Sequence, residues 1–354
     1  MVGSRSGGNR AIVLIAGFFF SQTQGIKTRS SSTRMQAPES LVLSGGGVKG
    51  IAFFGVLKAL HETLGWDFGR KRPALKNIFG VSIGCFLGLL VALGFSVDEL
   101  LSTVRFLDFS TMMGPNPAAI LGGGMIGLDD GSALQSKLEH FLMERLGRKD
   151  LTLKDLREAT GVSFMVGAVD LEKAQFVSLG PDSHPDLSVC SAIRASMAIP
   201  PLFPPMRFPD GRLFADGGIL NNFPITQFPA ESVLGLRLTS SKIAAVNPSS
   251  LSSYFSRIVG LLTSPIDEAQ WACVPSAYRQ RTITILIGGM SALDVGVASD
   301  LAVRVSLVAM GMEYGREAAE AWAHGRAPRE SALPSGWLEA VPDPLQQLAS
   351  RGWD

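Results

Sequence analysis

Two consecutive units of strand, glycine-containing turn and helix constrain the fold of this chain more than any other feature. The segment LVLSG at 41–45 is predicted to be a strand, and GIAFFGVLKALHETLG at 50–65 a helix. KNIFGV at 76–81 and IGCFLGLLVALG at 83–94 repeat the same order. Strands that alternate with helices form a parallel sheet covered by helices. The predicted fold class is therefore α/β, a three-layer α/β/α arrangement with a mostly parallel central sheet.

The rest of the chain contains further elements of both kinds. VSFMVGAVDL and AQFVSLG are predicted to form a β-hairpin or two adjacent strands, and TITILIG a further strand. Helices are predicted at 97–107, 132–147, 151–161 and about 294–324. The segment 110–131 has the Met, Pro and Gly content of a loop.

The two ends of the chain differ in composition from its middle. Residues 1–38 hold basic residues and many serines but no Asp or Glu. This composition is typical of a secretory signal or an organelle transit peptide. A disordered leader, or translation that begins at Met35, explains it equally well. We predict one globular domain over 39–325, followed by a tail over 326–354.

Composition excludes several classes of protein. Lys and Arg number 32 against 31 for Asp and Glu, a net charge of +1, so no global field recruits nucleic acid or an anionic membrane. Membrane contact would have to be apolar and local. The three cysteines, Cys85, Cys190 and Cys273, are far apart and form no CxxC pair. A disulfide scaffold and a cysteine zinc site are thereby excluded, and each cysteine is predicted to be a buried small apolar residue.

The first turn is a candidate anion site. Gly45, Gly47 and Gly50 have GxGxxG spacing between a predicted strand and a predicted helix. Free backbone N–H groups and the positive end of a helix dipole can hold a dinucleotide pyrophosphate or the oxyanion of acyl transfer. A dinucleotide site also needs an acidic residue roughly 20 positions further on, at the end of the second strand. Asp67 is near that distance but is predicted to lie in a loop before that strand.

The second turn is a candidate site for a nucleophile. Gly80, Ser82 and Gly84 form GxSxG between a strand and a helix. Glycine on both sides allows the sharp turn that projects a nucleophilic serine from the end of the strand. The alternative is that Ser82 only caps the helix that follows.

Two residues are candidates for the base that such a serine requires. Asp216 precedes Gly217 and Gly218 in FADGGILNNFP, where the missing side chains let another backbone approach the carboxylate. An Asp-Gly turn is the ordinary alternative. His324 completes the chain order Ser, Asp, His of α/β-hydrolases, although a histidine at the end of a helix also suits the helix dipole.

The motifs GGGVKG, GVSIG and DGG, in this order, resemble those of the patatin-like phospholipase family. The resemblance extends over roughly 39–325 and includes GLDDGSALQSKLEHFL, LTLKDLREATG and AIRASMAIPPLFPP. Members of that family are acyl hydrolases with a Ser-Asp dyad and no catalytic histidine. The resemblance implies that Ser82 is the nucleophile and Asp216 the base. It assigns the oxyanion hole to Gly45, Gly46 and Gly47, and the basic position of the motif to Lys49, and it implies neither metal nor cofactor.

The expected activity is hydrolysis of acyl esters of phospholipids or galactolipids at a membrane surface. Two apolar segments, FLDFSTMMGPNPAAIL at 106–121 and IPPLFPPMRF at 199–208, suit contact with acyl chains unless they pack on the core. No nucleic-acid partner is expected. Head group, sn position, compartment and any activating protein are left open. A histidine-dependent esterase, a nucleotide-binding module and a catalytically inactive lipid-binding scaffold are the alternatives.

Overall fold

The computed structural model describes residues 35–69, 74–112, 127–239, 251–288 and 299–330. These residues belong to one compact unit, Met35–Asp354. The leader up to residue 34, residues 113–126 of the predicted loop and the tail from residue 331 lie outside the described ranges. The predictions for those segments stay predictions.

The described strands form one eight-stranded sheet. They are β1 (Ser40–Leu43), β2 (Asn77–Val81), β3 (Ser163–Asp170), β4 (Gln175–Leu179), β5 (Met206–Arg207), β6 (Leu213–Asp216), β7 (Val233–Thr239) and β8 (Thr282–Leu286). The order is β5-β6-β3-β2-β1-β7-β8, with β4 also paired to β3. β3, β2, β1, β7 and β8 are parallel, whereas β4 and β6 are antiparallel to β3. The predicted, mostly parallel sheet and the predicted β3–β4 hairpin are confirmed.

Helices precede, follow and connect these strands. The α-helices are α1 (Ala52–Leu64), α2 (Ile83–Ala92), α3 (Val97–Thr103), α4 (Phe109–Met112), α5 (Ser132–Leu146), α6 (Leu153–Thr160), α7 (Val189–Ser196), α8 (Leu251–Cys273), α9 (Ser276–Arg279) and α10 (Leu301–Ala323). Short 3₁₀ helices are formed by Gly47–Ile51, Gly217–Ile219 and Ile225–Gln227. Sequence patterns did not indicate β7, α7 or α8.

Apolar side chains alternate between the two faces of the sheet. On β1, Leu41 and Leu43 belong to the larger core cluster, which α1, α2 and α10 cover. Val42 points into a second cluster with Phe79, and Trp271 of α8 packs against that cluster. Because both faces bury apolar side chains, helical layers flank the sheet on its two sides. The three-layer α/β/α class is confirmed.

Helices α1 and α10 lie side by side and run in the same direction. A Cβ atom on Gly311 would collide with the carbonyl of Ala52, at the start of α1. Beyond the other end of α1, Trp66 stacks on Trp322 with 5.9 Å between ring centroids. The end of α10 therefore lies at the edge of the sheet opposite the glycine-rich turn.

The cysteine prediction is correct for two of the three positions. Cys85 and Cys190 are buried, but Cys273 is exposed. The prediction for Cys273 was wrong because this residue ends α8, on the side of the helix that faces solvent. None of the described helices combines the length and the apolar character needed to cross a bilayer.

Candidate active site

Ser82 occupies a strained turn between β2 and α2. Its φ of 52° is positive, which is unusual for a residue other than glycine and costs about 1–3 kcal/mol. A side chain at Gly80 would overlap the backbone of Cys85, and one at Gly84 would overlap the carbonyl of Leu43. The two glycines of GxSxG are therefore required because the end of β2, the start of α2 and the end of β1 approach one another closely.

Ser196, on α7, fixes the backbone of this turn from the side. The Ser82 N–H donates to Ser196 Oγ at 2.8 Å. The Ser196 hydroxyl in turn donates to the Gly167 carbonyl of β3 at 2.5 Å. Because Ser196 is fully buried, the two hydrogen bonds tie the β2–α2 turn to the neighbouring strand in a low-dielectric environment.

The register of β3 brings Asp216 next to Ser82. On one edge of β3, β2 ends with Val81 opposite Gly167. On the same edge β6 then pairs with β3, and Asp216 lies opposite Ala168. The other edge is occupied by β4. Ser82 follows Val81, the last residue of β2. Asp216 is therefore level with the position of Ser82, one residue beyond the end of β2.

The Asp216 carboxyl group is buried and only partly hydrogen-bonded. It is 2% exposed, and its Oδ1 accepts a hydrogen bond from the Gly218 N–H at 2.8 Å. Its Oδ2 is buried and has no hydrogen-bond partner among the described residues. Burial raises the pKa of Asp216 to about 6, although the Ser82 hydroxyl and the Gly218 N–H both lower it.

The two glycines after Asp216 are required by crowding. A side chain at Gly217 would collide with the Gly167 carbonyl. A Cβ on Gly218 would lie 3.1 Å from Asp216 Oδ1 and 2.9 Å from Asn222 Oδ1. The DGG motif therefore permits close packing around the carboxylate, as the sequence predicts.

The glycine-rich turn lies against the serine. A Cβ on Gly45 would be 3.2 Å from the Cβ of Ser82. The Gly45 N–H already donates to the Asn222 carbonyl at 3.4 Å, whereas those of Gly46 and Gly47 have no acceptor among the described residues. Gly47 begins the 3₁₀ helix that continues into α1, so both amides lie at the positive end of a helix dipole. Of the three predicted donors, Gly46 and Gly47 have the available amides.

Lys49 lies within the same 3₁₀ helix and is 5% exposed. Its side chain is therefore buried close to the glycine-rich turn and is not solvated at the surface. A buried positive charge favours negative charge that develops nearby.

Two other candidates lie away from Ser82. His324 follows α10, with its Nδ1 2.7 Å from the Glu320 carbonyl. Since α1 has 13 residues and each residue rises about 1.5 Å, roughly 20 Å of helix separates that end from the glycine-rich turn. Asp67 follows α1 at the same end and accepts the Gly69 N–H at 2.7 Å, so it does not occupy the ribose-binding position that a dinucleotide site requires. Among the described residues, no three His, Cys, Asp or Glu side chains cluster as metal ligands.

The apolar segments predicted to contact lipid are mostly packed into the core where they are described. Leu107, Phe109, Phe203 and Phe208 are all buried, whereas Phe106 is 71% exposed. Met113 lies outside the described residues, as does the side chain of Met112. Of the described large apolar side chains in these two segments, Phe106 is the most exposed.

Sequence reasoning missed the polar contacts that connect this site to α8. Arg237 of β7 forms an ion pair with Asp267 of α8 and lies over the Trp271 ring. Burial raises the pKa of Asp267, while Arg237 and a hydrogen bond with Asn222 lower it. Asn222 contacts Gly45 in turn, with its Nδ2 donating to the Gly45 carbonyl at 3.5 Å. No local pattern could reveal these contacts, because they join segments far apart in the chain.

The fold and the site together define an α/β protein with a serine turn, an aspartate and a glycine-rich turn at the carboxyl edge of a mostly parallel sheet. Residues 41–229 match the family model described as patatin-like phospholipase. The match covers more than half of the 354 residues, and the chain belongs to the patatin-like phospholipase family.

Individual relatives agree with this assignment. A probable lipid hydrolase of invertebrate iridescent virus 6 is 25% identical over 199 residues, 55% of this chain and 65% of that protein. Human patatin-like phospholipase domain-containing protein 6 is 30% identical over 186 residues, which is 52% of this chain and 12% of that protein. The chain thus matches less than two thirds of either relative.

Among solved structures, that of VipD from Legionella pneumophila is similar, with a TM-score of 0.53 and 17% identity. The similarity covers 88% of this chain and 73% of VipD, and at this identity it concerns the fold alone.

Proposed function

We propose that this protein is a lipid acyl hydrolase of the phospholipase A or lysophospholipase type, which cleaves ester-linked fatty acids from phospholipids or galactolipids. One observation carries the proposal: the strained Ser82 turn lies beside the buried Asp216 carboxylate, whose Oδ2 has no other partner among the described residues. Family membership and the relative named as a probable lipid hydrolase support a lipid ester as substrate.

In the proposed first step, Ser82 Oγ attacks the ester carbonyl carbon while Asp216 accepts the hydroxyl proton. The carbonyl π electrons move to the oxygen, where the Gly46 and Gly47 amides donate to the new oxyanion. Collapse expels the alcohol, which takes the proton from Asp216 and leaves an acyl group on Ser82. Water then attacks the acyl carbonyl carbon while Asp216 accepts a proton from it, and collapse breaks the acyl–Oγ bond. Ser82 Oγ takes the proton back from Asp216, and the fatty acid is released.

Lys49 and Asn222 support the stabilisation of the negative charge on the oxyanion. Lys49 contributes a buried positive charge near the oxyanion. The Asn222 carbonyl holds Gly45, so the next two amides are presented on a constrained turn. The role of Gly45 is therefore to shape the turn more than to donate. Contact with the membrane is transient in this proposal, and no nucleic acid takes part.

Labelling with a fluorophosphonate probe tests the nucleophile. The probe should modify wild-type protein on Ser82, and Ser82→Ala should lose both labelling and hydrolysis of a short-chain soluble ester. Ser102→Ala is the matched control, since its hydroxyl bonds to the Asp98 carbonyl on the surface of α3 and should not matter. Labelling of another residue, or near-wild-type turnover by folded Ser82→Ala, contradicts the proposal.

The same preparation distinguishes the alternatives. Tight binding of NAD or ATP by a protein without esterase activity would favour a nucleotide-binding module. Lipid binding without any labelling or turnover would favour an inactive scaffold.

A further inference from the structure

One face of α8 exposes a row of aliphatic side chains to solvent. Ile258, Leu261, Leu262 and Ile266 are 37%, 47%, 65% and 40% exposed. We call these four residues the α8 stripe. They account for half of the eight large apolar residues that the described chain exposes most. Such a concentration on one element marks a surface for association.

The stripe faces away from the residues that attach α8 to the domain. At about 100° per residue, its four members fall within a sector roughly 140° wide. Asp267 and Trp271 fall on the opposite side of the helix. These two residues contact Arg237 of β7 through an ion pair and a cation–π contact. The attachment therefore orients the apolar face outward.

The attachment also places α8, the helix that carries the stripe, next to a segment of the candidate active site. Gln270 Nε2 donates to the Leu220 carbonyl at 2.6 Å, and Leu220 lies in the segment that follows Asp216. Asp267 forms a hydrogen bond with Asn222, which contacts the glycine-rich turn. The α8 helix is thus attached to the segment that follows Asp216, and Asn222 of that segment connects it to the glycine-rich turn.

We propose that the α8 stripe docks on the surface of a phospholipid bilayer and presents the adjacent site to its substrate. The proposal rests on the proposed function, because the substrate of a lipid acyl hydrolase resides in such a surface. Arg257 and Glu268 lie at the edge of the stripe and carry opposite charges, whereas the four stripe residues are all aliphatic. An uncharged aliphatic face on an otherwise polar helix suits the boundary between acyl chains and head groups.

The dimensions of α8 fit an interfacial helix. Ile266 lies eight positions after Ile258, which corresponds to about 12 Å along the helix axis. A helix with one apolar face lies in the plane of the membrane and does not cross it. Since the net charge of the chain is +1, docking should depend on apolar contact and resist added salt.

Vesicle binding by the full chain tests the proposal. The Ser82→Ala variant, which cannot consume the lipid, is mixed with phosphatidylcholine vesicles and sedimented. Adding Leu261→Ser and Leu262→Ser should weaken binding by about tenfold for each side chain removed from the interface. Met143→Ser is the matched control, because Met143 is 47% exposed on helix α5 and should leave binding unchanged.

Activity separates docking from catalysis. With Ser82 intact, the Leu261→Ser, Leu262→Ser protein should hydrolyse a soluble short-chain ester at the wild-type rate while losing activity on vesicles. Unchanged vesicle binding, or equal losses on both substrates, overturns the proposal. The proposal is also overturned if, without lipid, the wild-type protein is an oligomer and the Leu261→Ser, Leu262→Ser protein is not. A second copy of the chain would then cover the stripe. If the wild-type protein hydrolyses no ester but the stripe variants still lose vesicle binding, the proposed catalysis fails and the docking surface stands.

Discussion

At the scale of single residues, two unfavourable features meet at the candidate site. Ser82 has a positive φ, and Asp216 places a carboxyl group where water cannot solvate it. Neither feature stabilises the fold, and strain of this kind persists where the surrounding structure imposes it. Both features are explained if the hydroxyl and the carboxylate react together.

The pH dependence of activity follows from Asp216. Its pKa is raised to about 6, so the proposed base is protonated at lower pH. The value of kcat/KM for a soluble ester should fall about tenfold per pH unit below that value, with a single-proton dependence. A profile that is flat between pH 5 and 8 would remove Asp216 from the role of base.

Stability should change in the opposite direction to activity when Asp216 is replaced. Because burial raises the pKa of Asp216 in the folded state from 3.8 to about 6, the ionised form is disfavoured by folding. The resulting loss of stability is absent at pH values below the pKa of the unfolded state. It is complete above the pKa of the folded state, where it reaches about 3 kcal/mol. Asp216→Asn should therefore abolish turnover yet raise the free energy of unfolding at pH 8, and raise it much less at pH 4. Urea denaturation at the two pH values measures this difference.

Ser196 is predicted to act as a positioning residue. Ser196→Ala removes the acceptor of the Ser82 N–H, and the buried donor left unsatisfied should cost about 1–3 kcal/mol of stability. Activity and the rate of fluorophosphonate labelling should fall at least tenfold under conditions where the variant stays folded. Ser306→Ala, which removes a buried hydroxyl bonded to the Ala302 carbonyl, should not alter the labelling rate. Equal labelling of both variants would give Ser196 a purely structural role.

At the scale of elements, glycines allow α1 and α10 to pack in close contact. Side chains at Gly55 and Gly311 would overlap the backbone of the opposite helix at Val308 and Ala52. This contact supports the 3₁₀ helix that carries Lys49, because it fixes where α1 begins. The position of the glycine-rich turn thus depends on packing along one pair of helices.

A pair of glycine substitutions tests this packing. Gly311→Ala should lower the free energy of unfolding by several kcal/mol, because the added methyl group forces the helices apart. Gly260→Ala is the control, since its Cβ would meet nothing within 4 Å in helix α8. It should leave stability unchanged or increase it by up to about 1 kcal/mol. Thermal unfolding followed by circular dichroism compares the two, and similar effects would mean that α1 and α10 pack less tightly than described.

At the scale of the whole molecule, the direction of the helices decides which distant residues can meet. The carboxyl ends of β1, β2 and β3 bring the glycine-rich turn, Ser82 and the Asp216 segment to one edge of the sheet. The end of α10 lies at the other edge, where Trp322 stacks on Trp66. A triad that includes His324 would require contact across the thickness of the domain.

His324→Ala should consequently retain at least half of the wild-type activity on a soluble ester. Its imidazole bonds to the Glu320 carbonyl, so the expected effect is limited to the last turn of α10. Circular dichroism checks that the helix is intact. A folded variant with activity reduced a thousandfold, the size of loss typical for a deleted triad histidine, would replace the dyad with a triad.

The sequence by itself determined the features that depend on neighbouring residues. Glycine on both sides of Ser82, two glycines after Asp216 and the alternation of strand and helix follow from local sterics and from the periodicity of apolar residues. These patterns were sufficient for the α/β fold and for the candidate residues. They failed at β7, where Arg237 interrupts an apolar strand, and at α8, which contains Gly260 and Pro265.

Only the tertiary structure decided which candidates meet. Asp216 reaches Ser82 because β6 continues along the edge of β3 that β2 leaves, and this register is set by pairing between segments far apart in the chain. The same holds for Ser196, whose hydroxyl bridges two elements 114 and 29 residues away. Arg237 can lie in a buried strand because Asp267 neutralises its charge from α8. Local propensity contains no information about such contacts, because each contact stabilises the fold only when both of its partners are in place.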